Sequence, residues 1–142
     1  VSSFSAQAVR LDEVLDLATS GISTLRLLKV DAEMHEEEVF QGARNVLLAA
    51  AQAARAAPAL TETSTPGGAS RLGLLVHFEY VPRHLEAMGL DPLGPPRLLM
   101  RLGYRVFDGD GEVRRSGLAS FAQRFAGGNL QAWPDVRGRD AE

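Results

Sequence analysis

The chain has 142 residues, of which 45% are hydrophobic, so its size and composition fit one ordinary domain with an apolar core. Its small net charge of -3 argues against a phosphate-binding nucleic-acid surface, and the absence of cysteine excludes disulfides, thiolate metal sites and a cysteine nucleophile. No apolar run of about eighteen residues and no signal-peptide pattern occurs, so we expect no membrane segment, with the cytoplasm as the default compartment.

The first half of the chain alternates short apolar runs with helical periodicity. A short helix is predicted from Leu11, after a strand end over Ala8–Arg10. The run LRLLKV over residues 25–30 has strand length, and its continuous apolar character is typical of a strand buried on both faces of a parallel sheet. Apolar residues then recur at helical spacing over residues 36–57, and Pro58 ends that helix.

The second half repeats this alternation and closes with turn signals. Glycine and proline mark most of its boundaries. The predicted elements are a polar loop over residues 61–70, a strand over 72–78, a helix from Pro82, a helix from Pro95 to Gly103, a strand over 104–107, an Asp-Gly-Asp-Gly turn before residues 112–115, and a last strand over 129–133. Alternation of this kind predicts a parallel α/β sheet with helices on its faces and an antiparallel finish.

Five segments carry a resemblance to a known family. In chain order they read LDEVLDLA, LLKVDAEMHEEEVFQGARNVL, LLVHFE, LMRLGYRVFD and NLQAWP. The second resembles a strand that ends in Lys-Ile-Asp-Val-Glu-Gly and leads into a helix carrying Gly-Ala, and the fourth resembles a Leu-x-x-x-Gly-Tyr segment. In this succession they resemble the C-terminal part of the methyltransferase domain of the FkbM family. The matching residues are Lys29, Asp31, Glu33, Glu36, Gly42, Ala43, Glu79, Leu99, Gly103 and Tyr104.

The resemblance implies one partial domain over residues 1–142, with a core over 9–134 and a polar tail over 135–142. The implied fold is α/β: the C-terminal half of a Rossmann-like class I methyltransferase fold, with a mostly parallel sheet, helices on both faces and an antiparallel final strand. Such a fold binds S-adenosylmethionine beyond the carboxyl ends of its strands, chiefly at a Gly-rich turn after the first strand. Neither glycine pair here, at 67–68 or 127–128, stands in that place. We therefore expect a fragment whose missing N-terminal half binds most of the cofactor.

One residue departs from the family pattern. Met34 stands where the family usually has glycine, at the end of the Lys-Ile-Asp-Val-Glu-Gly motif. Glycine permits a positive φ or a close backbone approach that methionine resists. The fit of the substrate at this position, or activity itself, is therefore expected to differ from the family's.

Three carboxylates are the candidate catalytic residues. Asp31 and Glu33 follow a predicted strand, and Glu79 ends the next one, so all three should reach the carboxyl edge of the sheet. There they could orient an acceptor hydroxyl and take its proton, and Asp31 could also contact the cofactor. The alternative is that Asp31 and Glu33 cap the following helix, because carboxylates accept hydrogen bonds from free backbone N–H groups.

Three further residues are candidates for binding the substrate, namely His35, Glu36 and His77. Each also has a purely structural interpretation. His35 could lie at an exposed helix start, Glu36 could lie at a solvated helix start, and His77 could be a core histidine with one hydrogen-bond partner. We predict no metal site. Lys29, on a strand that we expect to be buried, should form a salt bridge or reach solvent at an edge.

The favoured function is S-adenosylmethionine-dependent methylation, on oxygen, of a small hydroxylated acceptor, with this chain supplying the acceptor side. The partners are then the small molecule and no nucleic acid, and a homo-oligomer stays open. The alternative is a truncated, non-catalytic remnant that acts as an interaction module through an unpaired sheet edge. A third interpretation, a metal-dependent hydrolase using Asp31, His35, His77 and Glu79, lacks a recognisable ligand spacing.

Overall fold

A computed structural model describes residues 5–15, 21–22, 25–57 and 73–136 as helices packed on a five-stranded mixed sheet. The strands are β1 (Leu27–Val30), β2 (Leu75–Tyr80), β3 (Tyr104–Phe107), β4 (Glu112–Val113) and β5 (Gly128–Pro134). The helices are α1 (Leu11–Val14), α2 (Glu36–Gly42), α3 (Arg44–Ala56), α4 (Pro82–Ala87), α5 (Gly94–Arg101) and α6 (Leu118–Arg124), with a 3-10 turn over Arg115–Gly117. The predicted loop over 61–70 and the tail from residue 137 onward lie outside the described residues.

The strand order is β1-β2-β5-β3-β4. Strands β1 and β2 are parallel, and β5 lies between β2 and β3 and is antiparallel to both. Strands β1, β2 and β3 therefore point the same way, while β4 and β5 point the opposite way. The α/β class and the antiparallel final strand are confirmed. Strands β2 and β3 point the same way but are separated by β5. The parallel hydrogen bonds of this sheet are therefore those between β1 and β2.

The two faces of the sheet differ in burial. Alternate strand positions form one face, here called the buried face: Leu28, Val30, Val76, Phe78, Tyr80, Tyr104, Val106, Val113, Gly128, Leu130, Ala132 and Pro134. All of these except Leu28 and Gly128 are buried. The intervening positions form the open face, where none of the described strand residues is buried. They are Leu27, Lys29, Leu75, His77, Glu79, Arg105, Phe107, Glu112, Asn129, Gln131 and Trp133.

The hydrophobic core lies between the buried face and the helices. Phe40 from α2 meets Phe78 from β2 edge to face, with ring centroids 5.2 Å apart. The apolar residues of α3 and α5 join the same cluster. Helices on both faces were predicted, but the helices of the described part pack on one. Strand β1 is correspondingly not buried on both faces, since it is an edge strand whose Leu27 is 59% exposed.

The helix predicted over residues 36–57 is two helices, α2 and α3, that meet at Ala43. The side chain of Asp12 in α1 is only 5% exposed and supplies the cap of α3. Its Oδ1 accepts hydrogen bonds from the backbone N–H groups of Asn45 and Val46 at 3.0 and 3.1 Å. A carboxylate at a helix start binds free donors and interacts well with the helix dipole. The break between α2 and α3 is stabilised because Asp12, distant in sequence, supplies the acceptor for the first N–H groups of α3.

Two other elements differ from the prediction. Residues 8–10 are not a strand, whereas helix α6 was not predicted although its apolar residues repeat at helical spacing. Phe121 of α6 and Phe125 just after it stack on Tyr80 of β2, with ring centroids 6.3 and 5.8 Å away. Within the described ranges, helices are too short or too polar to cross a membrane.

Candidate functional site

Three carboxylates meet at the carboxyl end of β1 and β2. The parallel register pairs Val30 with Phe78, so the residues that follow in each strand direction, Asp31 and Glu79, are neighbours. A carboxylate oxygen from each of Asp31, Glu33 and Glu79 lies within 4.8 Å of the others. Asp31 and Glu33 are exposed and Glu79 is half-buried. The structure thus brings together all three residues that were predicted to be catalytic, and we call them the carboxylate group.

The turn after β1 has an unusual backbone. Glu33 and Met34 have φ angles of 48° and 78°, in the left-handed region. The N–H of His35 donates to the carbonyl of Ala32 at 3.1 Å and closes the turn. Left-handed geometry costs a non-glycine residue roughly 1–2 kcal/mol. Methionine at position 34 therefore adopts the conformation for which glycine would be suited, and the fold accommodates it by packing its side chain against the core.

Glu36 lies below this turn and not in solvent. The residue is 3% exposed, and its Oε1 accepts a hydrogen bond from the N–H of Ala32 at 3.1 Å. The expectation of a solvated helix start is wrong for Glu36, although Glu38 in the same helix turn is exposed. A buried carboxylate occupied by the backbone is poorly placed to bind a substrate directly. Its hydrogen-bond partner, Ala32, lies in the turn that carries Asp31 and Glu33.

Lys29 provides the nearby positive charge. Its Nζ lies 3.2 Å from Oδ2 of Asp31, and the two side chains are 62% and 51% exposed. The predicted salt bridge is confirmed, but Lys29 points to the open face and not into a buried layer. An exposed pair of this kind contributes little stability. It partly neutralises the carboxylate group, which keeps a net negative charge when all of its members are ionised.

Neither candidate histidine joins the carboxylate group. His35 is the N-cap residue of α2, is exposed, and has Nδ1 3.6 Å from Oε1 of Glu38. His77 is half-buried on the open face, paired in register with Lys29 and Gln131, so it is not a core residue. The described histidines therefore do not form the metal site of the hydrolase interpretation, because the group that could hold an ion contains carboxylates alone.

The carboxylate group can accept protons, bind hydroxyl or ammonium donors, or hold one divalent cation by oxygen ligands. Exposed acidic groups of this spacing are common without an ion. Asn129 on β5 pairs with Glu79 and is exposed, so it adds an amide to the same edge. The sequence did not indicate Asn129, because the antiparallel pairing of β5 with β2 leaves no mark in the residues around it.

Comparison of the chain with protein-family models, with curated proteins and with solved structures gives no match in any of the three. The features that bear on function are the carboxylate group, the strained turn, the open face of the sheet and the edge of β1 that no described strand pairs with.

Proposed function

We propose that this chain is the acceptor-side part of an S-adenosylmethionine-dependent O-methyltransferase acting on a small hydroxylated molecule. The observation that carries the proposal is the convergence of Asp31, Glu33 and Glu79 at the carboxyl end of two parallel strands. Open α/β sheets bind their ligands at that edge. The sheet order, with an antiparallel last strand between two strands that point the same way, is consistent with a Rossmann-like sheet.

The residues of this chain would act on the acceptor. Asp31 or Glu79 would accept a hydrogen bond from the acceptor hydroxyl and orient its oxygen. The same carboxylate would receive the hydroxyl proton as the methyl carbon passes from the donor's sulfur to that oxygen, which leaves the donor as a neutral thioether. Lys29 places a positive charge beside Asp31, with its Nζ 3.2 Å from Oδ2. Half-buried Glu79 is less hydrated than Asp31 and is the better-shielded base.

The carboxylate group also suits the proposed methyl donor chemically. When bound, S-adenosylmethionine would supply an activated methyl group on a positively charged sulfur. Asp31 would accept a hydrogen bond from one of its hydroxyl or ammonium groups, and the negative edge would favour its positive charge. The donor's main contacts would come from the N-terminal half of the domain, packed against the open face, where Leu27 is 59% exposed, and against the edge of β1 that no described strand occupies.

A second candidate function is a non-catalytic interaction module. The open face favours it, as does the edge of β1, which is unpaired among the described strands, because another chain could cover either surface by adding a strand or a helix layer. Met34 in a left-handed conformation also favours it, if that conformation serves no acceptor. The two functions differ in whether the carboxylate group is needed.

The coding sequence upstream of Val1, followed by calorimetry with the complete product, tests the methyltransferase proposal. We expect a preceding strand and Gly-rich turn, micromolar binding of S-adenosylmethionine by the complete product, and much weaker binding by the 142-residue chain. A complete product that lacks that turn and does not bind the donor would reject the proposal. Sedimentation of such a product as an assembly would then support the interaction module.

A further inference from the structure

Glu36 is a charged residue that the fold buries, being 3% exposed at the first position of α2. Burying a carboxylate is costly unless it is hydrogen-bonded. Its Oε1 accepts from the N–H of Ala32 at 3.1 Å, a bond that runs backwards across four residues. Ala32 lies between Asp31 and Glu33, so this contact joins the buried base of α2 to the turn that carries two members of the carboxylate group.

The turn needs such a restraint. Two consecutive non-glycine residues, Glu33 and Met34, have positive φ angles, which the backbone does not adopt without support. The carbonyl of Ala32 accepts from the N–H of His35, and its N–H donates to Glu36, so both backbone groups of Ala32 are held. Strand pairing holds Val30, immediately before Asp31, and the Glu36 contact holds Ala32, immediately after it, so the position of Asp31 depends on both.

We propose that Glu36 is a positioning residue that holds the 31–34 turn in its left-handed form and so keeps Asp31 and Glu33 beside Glu79. This inference rests on the proposed function in one respect, namely that the carboxylate group is the reacting site. Glu36 itself touches no acceptor. It acts through its hydrogen bond to the Ala32 N–H, so the role requires an acceptor oxygen at the position of Oε1.

Two substitutions of similar length separate this role from simple packing. Glu36→Gln keeps an acceptor oxygen at the same position, whereas Glu36→Met fills the buried site without one. Glu36→Met leaves the Ala32 N–H without its acceptor, and leaving a buried donor unpaired is destabilising. We expect Glu36→Gln to melt near the wild type and Glu36→Met to melt at a lower temperature while still folding, so that the turn can be observed directly in a folded chain.

The test is NMR on the 142-residue chain. We expect the Ala32 amide to exchange with solvent at least about tenfold faster in Glu36→Met than in the wild type, and Glu36→Gln to restore slow exchange. The Nuclear Overhauser contact between the side chains of Asp31 and Glu79 should be present in the wild type and Glu36→Gln and lost in Glu36→Met. Unchanged Ala32 exchange, or an unchanged Asp31–Glu79 contact in a folded Glu36→Met chain, would overturn the proposal.

A second-site variant keeps the test decisive if Glu36→Met does not fold. Glycine adopts positive φ at little cost, so Met34→Gly should partly restore both the turn and the Asp31–Glu79 contact in a chain that carries Glu36→Met. Absence of any such rescue would count against the proposal. These readouts need no methyl donor, so they can fail while methyl transfer is observed, and they can succeed if the chain proves to be an interaction module.

Discussion

Carboxylate oxygens of Asp31 and Glu79 lie within 4.8 Å of each other, although Asp31 directly follows β1 and Glu79 lies in β2, far away in the chain. The parallel pairing of Val30 with Phe78 places the next residues of β1 and β2 side by side at the same edge. Glu33 reaches the same point because the chain turns sharply through two left-handed residues. The candidate site is therefore a product of strand register and of one strained turn.

Replacing Asp12 by alanine should lower the free energy of unfolding by about 2 kcal/mol. The carboxylate of Asp12 accepts two backbone N–H groups at the start of α3, and its removal leaves both without that acceptor. Chemical denaturation measures the change. Glu13→Ala is the control, because the Glu13 side chain is 65% exposed and only distantly paired with Arg10. Equal stability of the two variants would contradict the capping role.

Gly73→Ala should destabilise the fold by at least about 2 kcal/mol. Gly73 has a φ of +119°, and a Cβ there would lie 2.8 Å from Cγ of Pro134 and 3.1 Å from Cβ of Ala54. The added methyl group would thus meet both β5 and α3 in a backbone conformation that alanine resists. In the matched variant Gly109→Ala the new Cβ meets nothing within 4 Å, so its melting temperature should stay near that of the wild type.

Met34→Val should cost about 1 kcal/mol or more beyond Met100→Val, because a β-branched side chain is strongly disfavoured at positive φ. Met34 has a φ of 78°, whereas Met100 lies inside α5, and both side chains pack partly buried against the core. Urea denaturation of the two variants makes the comparison. If they lose equal stability, the left-handed turn is not present in solution.

Alkaline pH should destabilise the protein through its two tyrosines. Burial raises the pKa of both Tyr80 and Tyr104 above their usual range, with Asp91 adding to the effect for Tyr80. A raised folded-state pKa means that the stabilisation is complete below about pH 10, the unfolded value, and is lost as the pH rises further.

Tyrosinate absorbance and denaturation at several pH values measure this dependence. Tyr104 donates a hydrogen bond to the carbonyl of Leu47 at 3.2 Å, so Tyr104→Phe should lower stability at neutral pH and also flatten the alkaline loss. Ordinary titration of both tyrosines near pH 10 in the folded protein would refute their burial.

The sequence predicted most of the strands and the edge at which the site lies. Apolar runs located β1 and β2 to within a few residues, and the residues that end them, Asp31 and Glu79, were correctly expected at one edge. Helix α6 was missed because its apolar repeat is only about two turns long and follows a turn-rich segment. The predictions were thus most accurate for elements that the periodicity of apolar residues and the turn residues within a short segment determine.

What could not be predicted depends on contacts distant in sequence. The division of the long helix at Ala43 requires the carboxylate of Asp12, and the burial of Glu36 requires the turn above it. The open face could not be foreseen, because a run such as LLKV reads the same in an edge strand as in a strand covered on both faces. The one sign in the sequence that Met34 has a positive φ was the glycine that the FkbM motif has at the same position.

Transfer of a radiolabelled methyl group from S-adenosylmethionine to a panel of small hydroxylated molecules, by the complete protein, tests the central claim most directly. The account predicts methylation that falls by about two orders of magnitude or more in Asp31→Asn or in Glu79→Gln. The matched control is Asp110→Asn at the exposed tip of the β3–β4 hairpin, which should retain full activity. Methyl transfer that is unaffected by changes at both Asp31 and Glu79, or none with any acceptor by a protein that binds the donor, would contradict the account.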